Sequence, residues 1–527
     1  MPPSNVLLDG TWRPADASCT FQASDPRTGD EIPGEYPTSR WSDVDFALQS
    51  AAAAALELQA LDSARTAEFL ERYATRIETR APEILGLAAR ETALPIEPRL
   101  ASVELPRTTL QLRQAAQAAR SQEWSRPLLD TVANLRTRLG PIGPVAIFGP
   151  NNFPLAFGSV SGGDFAAAIA AGNPVIAKGH PLHPGTTRLL AEEAQAAAAE
   201  AGLPRGTVQL LYAVEPEDGA RLVRDPRLAA IGFTGSRHGG LALKAHADAV
   251  GKPIYLELGS TNPVVILPGA LAERSAAIAE ELVASCLLGT GQFCTNPGLI
   301  VVQDSPHAGA FVGDVTQRFA TAPAGVLFSK SGLEGLESAV GKLREAGAEL
   351  LTGGERVSGP GFSFQNTALT VSGAGFLANP SALQAEAFGN AALLVRTGSL
   401  SETRQVLFQL EGNLTGSFYT DTSGSDDAGY DQLAPVLRAR VGRLIDDKMP
   451  TGVAVSAAMN HGGPFPATSH PGFTAVGLPS SIARFTMLQC YDQVRPHRLP
   501  EVLQDENPRG VLRQVDGEWS RGPISIA

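Results

Sequence analysis

The 527-residue chain is poor in cysteine, methionine and tryptophan, with four of each. Its cysteines, Cys19, Cys286, Cys294 and Cys490, are too few and too scattered for a disulfide framework. A reducing cytoplasm fits best, where a special cysteine is chemical rather than structural. Long apolar runs are also missing. The most apolar stretch, 160–177, carries Asp164, Gly162-Gly163 and Asn173-Pro174, which excludes a bilayer span of about 20 residues. The first residues, Met-Pro-Pro-Ser-Asn-Val-Leu-Leu-Asp-Gly, show neither the basic nor the apolar part of a signal peptide. Positive charge is in deficit, 42 Lys+Arg against 54 Asp+Glu for a net −12, which argues against nucleic acid or an anionic membrane as partner. There is no Walker loop, Ser-His-Asp elbow or HExxH. His180 and His183 lie close together but no third ligand has metal spacing, so no metal site is expected.

What is present is a soluble-type composition, 43% hydrophobic, long enough for two or three domains. Residues 43–94 and 97–120 carry helical periodicity. From 140 onward short apolar strands alternate with helices: 145–148, 175–177, 208–211, 229–233 and 254–257, with helices to 171 and over 186–201. A second block repeats the pattern, with strands 263–267, 299–302, near 350 and 393–396, and helices 271–287 and 331–346. Such βαβ alternation predicts doubly wound parallel sheets of α/β class. The seam falls near 257, giving units 1–256 and 257–460. The Gly- and Pro-rich stretch 461–527 is expected to be a wrapping segment.

The sharpest chemical signal is Gly289-Thr-Gly-Gln-Phe-Cys294-Thr-Asn-Pro-Gly298. A cysteine among glycines at a helix–strand junction has free backbone N–H groups beside it, and its thiolate can act as a nucleophile. Cys286, on an apolar helix face, reads as core. Glu257, at the carboxyl end of a strand, sits where doubly wound sheets bind ligands and pairs an acid with the thiol. Asn152, in the turn after 145–148, suits an oxyanion donor or a simple helix cap, and the cap is the commoner use. Lys178 also ends a strand. Phe233-Thr-Gly235-Ser236-Arg237 joins a strand to a helix start and suits a phosphate.

Together these motifs resemble the NAD(P)-dependent aldehyde dehydrogenase superfamily over nearly the whole chain. Asn152-Phe-Pro154, Lys178, Phe233-Thr-Gly-Ser236, Glu257-Leu-Gly259, Gly291-Gln-Phe-Cys294 and Glu386-x-Phe388-Gly389 match its motifs in order and spacing. The segments Gly291–Gly298, Lys178–Thr186 and His461–Ala467 are similar to its α-ketoglutaric semialdehyde (2,5-dioxopentanoate) dehydrogenase branch, which also includes a fatty aldehyde dehydrogenase. The resemblance implies a Rossmann-type cofactor domain, an α/β catalytic domain and an oligomerisation hairpin near 121–140, with the chain paired into a homodimer or homotetramer through that hairpin and the C-terminal segment. It also implies that Cys294 attacks an aldehyde, Asn152 holds the oxyanion, a thioester forms, and Glu257 activates the water that hydrolyses it. Lys178, Glu386 and Phe388 would hold the cofactor.

Departures refine this. Many NAD-preferring members carry a glutamate three residues after the lysine, where this chain has Pro181. With no acid there, and with Lys178, His180 and Arg237 nearby, NADP is expected, NAD being the alternative. Ser260-Thr261 stand where Gly-Lys is commoner, and Arg484–Tyr491 departs from the branch's Arg-Phe-Leu-Arg-Pro. No Arg or Lys occurs between 141 and 177, so Arg107, on a helix that the resemblance places at the substrate mouth, is the candidate for a substrate carboxylate. The other reading of Arg107 is a surface ion pair with Glu104. Phe157, Phe293 and Phe465 are expected as apolar walls. A CoA-acylating reading is opposed by Glu257, and a catalytically silent scaffold by the joint presence of Cys294, Glu257, Asn152, Lys178 and Glu386.

Overall fold

A computed structural model describes residues 2–524. Five short, buried, β-branched or aliphatic strands pair in parallel in the order Ile254–Glu257, Ala230–Thr234, Val145–Phe148, Val175–Lys178, Val208–Leu211. Val6–Leu8 and Thr11–Arg13 extend the sheet antiparallel at its far edge. Strands apolar on both faces need cover on both, and helices such as Gly163–Ala170 and Pro184–Glu200 supply it. The chain order reverses between Val145–Phe148 and Ala230–Thr234. Beyond the carboxyl ends of those two strands lies the crevice where open sheets bind ligands.

A second seven-stranded sheet runs Glu349–Thr352, Thr367–Ser372, Ala391–Thr397, Leu299–Gln303, Val264–Ile266, Asn413–Tyr419, Val441–Asp446. All neighbours in it are parallel except the first pair. The strands Thr367–Ser372, Asn413–Tyr419 and Val441–Asp446, and the helices Ala308–Thr321, Leu400–Phe408 and Asp427–Arg438, belong to this block in addition to those its periodicity marks.

Two expectations are corrected. The helix read over 43–94 is three: Trp41–Ala60, Ser63–Thr79 and Ala81–Thr92. Asp62 breaks the first pair by capping the second helix through the Ala64 N–H, and Pro82 opens the third. The helix read over 97–120 starts at Leu105, after a wide turn over Ile96–Glu104.

The segment 461–527 does more than wrap. Thr486–Asp492 pairs antiparallel with Leu135–Pro141, and Arg513–Val515 runs parallel to Leu128–Asp130. The chain's end thus completes a sheet begun by the hairpin 128–141, over a small core of Leu129, Leu499, Val502, Leu503 and Val511. Among the described residues no helix is long and apolar enough to cross a membrane.

Candidate active site

A cavity of about 450 Å³ opens at the strand-order reversal, with Phe148 through Asn152, Lys178, His180, Gly235, Ser236, Glu257, Cys294, Glu386 and Phe388 in its wall. Each strand end contributes because its apolar run stops there and the following turn residues face the crevice.

Cys294 is half-buried on the loop between the helix Pro268–Leu287 and the strand Leu299–Gln303. That loop is held by several clamps. Asn262 Nδ2 donates to the carbonyls of Cys294 (2.8 Å) and Asn296 (2.9 Å). Gln292 Oε1 accepts from the Phe328 N–H at 2.9 Å. Gly291 has φ +69°, and a Cβ there would meet the Gly389 carbonyl oxygen at 2.0 Å, so only glycine lets the cysteine loop lie against the Glu386–Gly389 turn. Burial and the neighbouring Glu257 charge push the Cys294 thiol up, against the pull of Arg107. The resting group is therefore a thiol and needs a base.

Two groups stand ready for its proton. Glu257, 4% exposed at its strand end, has Oε1 2.6 Å from His461 Nε2, and the same nitrogen is 3.4 Å from Cys294 Sγ. Glu257 Oε2 and His461 Nδ1 are buried with no partner. His461 is fixed by its backbone N–H, which donates to Thr474 Oγ1 at 2.7 Å, and by an edge contact with the Phe157 ring. Sequence reasoning noted the His461 segment but gave the side chain no role. Its lone position in a Gly-Pro loop, 204 residues from Glu257, carries no spacing signal.

Asn152 is buried, its Nδ2 donating to the Gln292 carbonyl at 3.1 Å beside the cysteine loop. Its turn is pinned from behind by a buried ion pair. Arg99 Nη1 binds Glu104 Oε2 at 2.5 Å while Arg99 Nη2 donates to the Asn152 carbonyl at 3.0 Å. Glu104 Oε1 accepts from the N–H groups of Leu155 and Ala156. Glu104 is thus committed to Arg99, and the alternative pairing of Glu104 with Arg107 is not formed.

Arg107 instead turns inward. Its guanidinium lies over the Phe157 ring at 5.3 Å and Nη1 donates to the Val453 carbonyl, leaving Nε and Nη2 buried without partners. Burial lowers its pKa, and the Glu104 and Glu257 charges oppose that. Arg443, which sequence reasoning missed, lies behind. It donates to the Pro450 (2.8 Å) and Gly452 (3.2 Å) carbonyls, shaping the loop that carries Val453. Phe157 and Phe293 each pack on Phe153 at 5.3 Å between ring centres. Phe465 does not join them. It is 61% exposed, because its backbone is turned toward Gly412.

On the cofactor side Glu386 is half-buried, accepts the Ser260 N–H at 3.1 Å and has its carboxyl pushed up to about 7, chiefly by desolvation. A Cβ on Gly259 would sit 2.0 Å from Glu386 Oε2. Gly235 and Ser236 line the cavity where the helix Arg237–Asp248 begins, and Ser236 Oγ caps that helix by accepting the Gly239 N–H. Burial brings Lys178 down to about 8. Burial, with the His183 and Lys178 charges, holds His180 far below its usual pKa, so it is a neutral ring stacked on His183 and not the cation expected near a 2′-phosphate. Pro181 is exposed outside the cavity wall, and Arg237 is also outside it, paired with Glu411 at 2.7 Å.

The profile of the aldehyde dehydrogenase family matches residues 12–426. The chain is similar to alpha-ketoglutaric semialdehyde dehydrogenase 2 of Azospirillum brasilense, 39% identical over 97% of this chain and 98% of that protein. It is similar also to an alpha-ketoglutaric semialdehyde dehydrogenase of Acinetobacter baylyi, 36% identical over 90% and 91%. Its fold is that of a solved aldehyde dehydrogenase of Bacillus cereus in complex with NAD+, with a TM-score of 0.79, 21% identity, and 93% and 96% of the two chains covered. The chain belongs to the aldehyde dehydrogenase family and is an NAD(P)-dependent oxidoreductase.

Proposed function

We infer that this enzyme oxidises a carboxylated aldehyde, 2,5-dioxopentanoate, to 2-oxoglutarate, with NADP preferred. The observation that carries the substrate reading is Arg107. A guanidinium near the nucleophile, with two buried donors unpaired, is a ready receptor for a carboxylate. The names of the two curated relatives, at 39% and 36% identity, favour the same substrate.

His461 Nε2–H is donated to the Glu257 carboxylate, since the opposite tautomer would leave Nδ1–H buried without an acceptor. As the aldehyde approaches, this proton moves to Glu257 Oε1 and the Cys294 thiol proton replaces it on Nε2. The thiolate adds to the carbonyl carbon. Asn152 Nδ2 and the Cys294 backbone N–H stabilise the oxyanion. The cavity fits a dinucleotide: Gly259 leaves Glu386 the space a Cβ would fill, and Ser236 caps a helix end suited to phosphate. NAD(P), when bound, supplies the hydride acceptor that turns the hemithioacetal on Cys294 into a thioester. Glu257, once it has passed its proton to solvent through the cavity, takes a proton from the water that hydrolyses the thioester, and the Cys294 sulfur leaves as the thiolate.

Two supports favour NADP: no acid stands at 181 to repel a 2′-phosphate, and Lys178 lines the cavity beside it. Pairing into a homodimer or homotetramer through the 128–141 hairpin sheet, and a cytoplasmic location, complete the proposal. The test is steady-state kinetics with 2,5-dioxopentanoate and a long-chain aldehyde, each with NADP and NAD, for wild type and Arg107→Leu. The reading predicts a KM for the dioxo acid at least about tenfold higher in the variant, with the long-chain aldehyde little changed. Equal effects on both aldehydes would remove the anionic-substrate reading and keep the dehydrogenase.

A further inference from the structure

Among the described residues, Glu257, Cys294 and His461 each bring a ligand atom within 4.8 Å of the other two. A carboxylate, a thiolate and an imidazole are a donor set suited to a soft divalent ion. Around tetrahedral zinc such atoms, about 2.0–2.3 Å from the ion, lie about 3.3–3.6 Å apart. The Sγ–Nε2 distance, 3.4 Å, already meets this. The Nε2–Oε1 distance, 2.6 Å, needs to open by less than about 1 Å. Glu257 Oε2 has no hydrogen bond that such a shift would break. Entry is through the cavity of about 450 Å³, which Glu257 and Cys294 both line and which leaves a fourth position open.

We propose that Cys294, Glu257 and His461 form a binding site for zinc that reversibly blocks the enzyme by occupying its nucleophile. The proton balance is simple. Cys294 Sγ–H gives its proton to solvent as the Sγ–Zn bond forms, and the imidazole proton passes from Nε2 to Nδ1 as Nε2 takes the metal. With two anionic ligands the dication is neutralised, and no oxidant or reductant takes part. The site does not depend on which aldehyde is the substrate.

Cobalt is the optical probe, titrated into full-length protein carrying Cys19→Ser and Cys490→Ser to remove the exposed thiols. The expected result is a thiolate-to-cobalt charge-transfer band saturating at one equivalent, displaced by zinc and abolished by chelator. Cys294→Ser should remove the band. His461→Ala and Glu257→Gln should each weaken binding by more than about tenfold, since loss of even an outer-shell partner costs about 10–100-fold. Calorimetry in two buffers should show about one proton released per zinc, the number this balance requires. A band that persists in Cys294→Ser, or affinity unchanged in both ligand variants, overturns the proposal. If His461→Ala fails to fold, Glu257→Gln alone decides.

Discussion

His461 Nε2 stands between the two reacting side chains, 2.6 Å from Glu257 Oε1 and 3.4 Å from Cys294 Sγ. One nitrogen therefore touches both the acid and the nucleophile, and it can take the proton of the cysteine, whose thiol is pushed up by burial, once its own has passed to Glu257. Replacing His461 by Ala is expected to lower kcat by about 10²-fold or more, the range for a positioned acid–base group. Alkylation of Cys294 by iodoacetamide near neutral pH should slow as well. An unchanged alkylation rate would assign His461 a packing role only.

Asn152 is held by the Arg99–Glu104 pair rather than by the substrate, so its amide is in place before an aldehyde arrives. Asn152→Ala should lower kcat by about 10²–10³-fold, the cost of one oxyanion donor. Glu104→Gln is different. It leaves Arg99 buried without a charged partner, and a loss of about 3–5 kcal/mol is expected in denaturant unfolding.

Gly259 gives Glu386 its place, since a Cβ would lie 2.0 Å from Oε2. Gly259→Ala should raise the dissociation constant of NAD(P), measured by fluorescence titration, while Cys294 alkylation without cofactor stays near the wild-type rate. Tight binding in the variant would mean that Glu386 does not contact the cofactor.

The half-buried Glu386, whose carboxyl is raised to about 7 by desolvation, sets a pH dependence. The folded chain holds this proton where the unfolded chain has lost it, between the ordinary glutamate range and about pH 7. Stability from this group is complete below that range and is lost as pH rises through about 7. Glu386→Gln should therefore flatten the decline in unfolding free energy of the cofactor-free protein between roughly pH 5 and pH 8, by an amount on the order of a few kcal/mol. Parallel curves for the two proteins would show that the carboxyl is not buried in its protonated form.

Much of the fold was legible because it is local. The short, mainly apolar runs at 145–148, 175–178 and 254–257, set between helical stretches, read as buried parallel strands, and each ends beside the crevice. Glycine flanks and strand-end position marked Cys294 and Glu257 without any knowledge of packing. The breaks at Asp62 and Pro82 were also written in the residues, as a cap and an N-terminal proline, but the periodicity running through them hid the division.

What only the tertiary structure decided are the partnerships across long separations. No spacing rule joins His461 to Glu257, Arg99 to the Asn152 carbonyl, or the strand Thr486–Asp492 to Leu135–Pro141, since each pair meets only after two sheets and a hairpin have been assembled. The same assembly settled Arg107, whose neighbour Glu104 is taken by Arg99, and Phe465, which the backbone turn at Gly412 leaves outside. Sequence fixes which groups can do chemistry by fixing residue type and local conformation. Which of them share a desolvated pocket, and so which pKa values move and which donors stay unpaired, depends on packing between elements far apart in the chain.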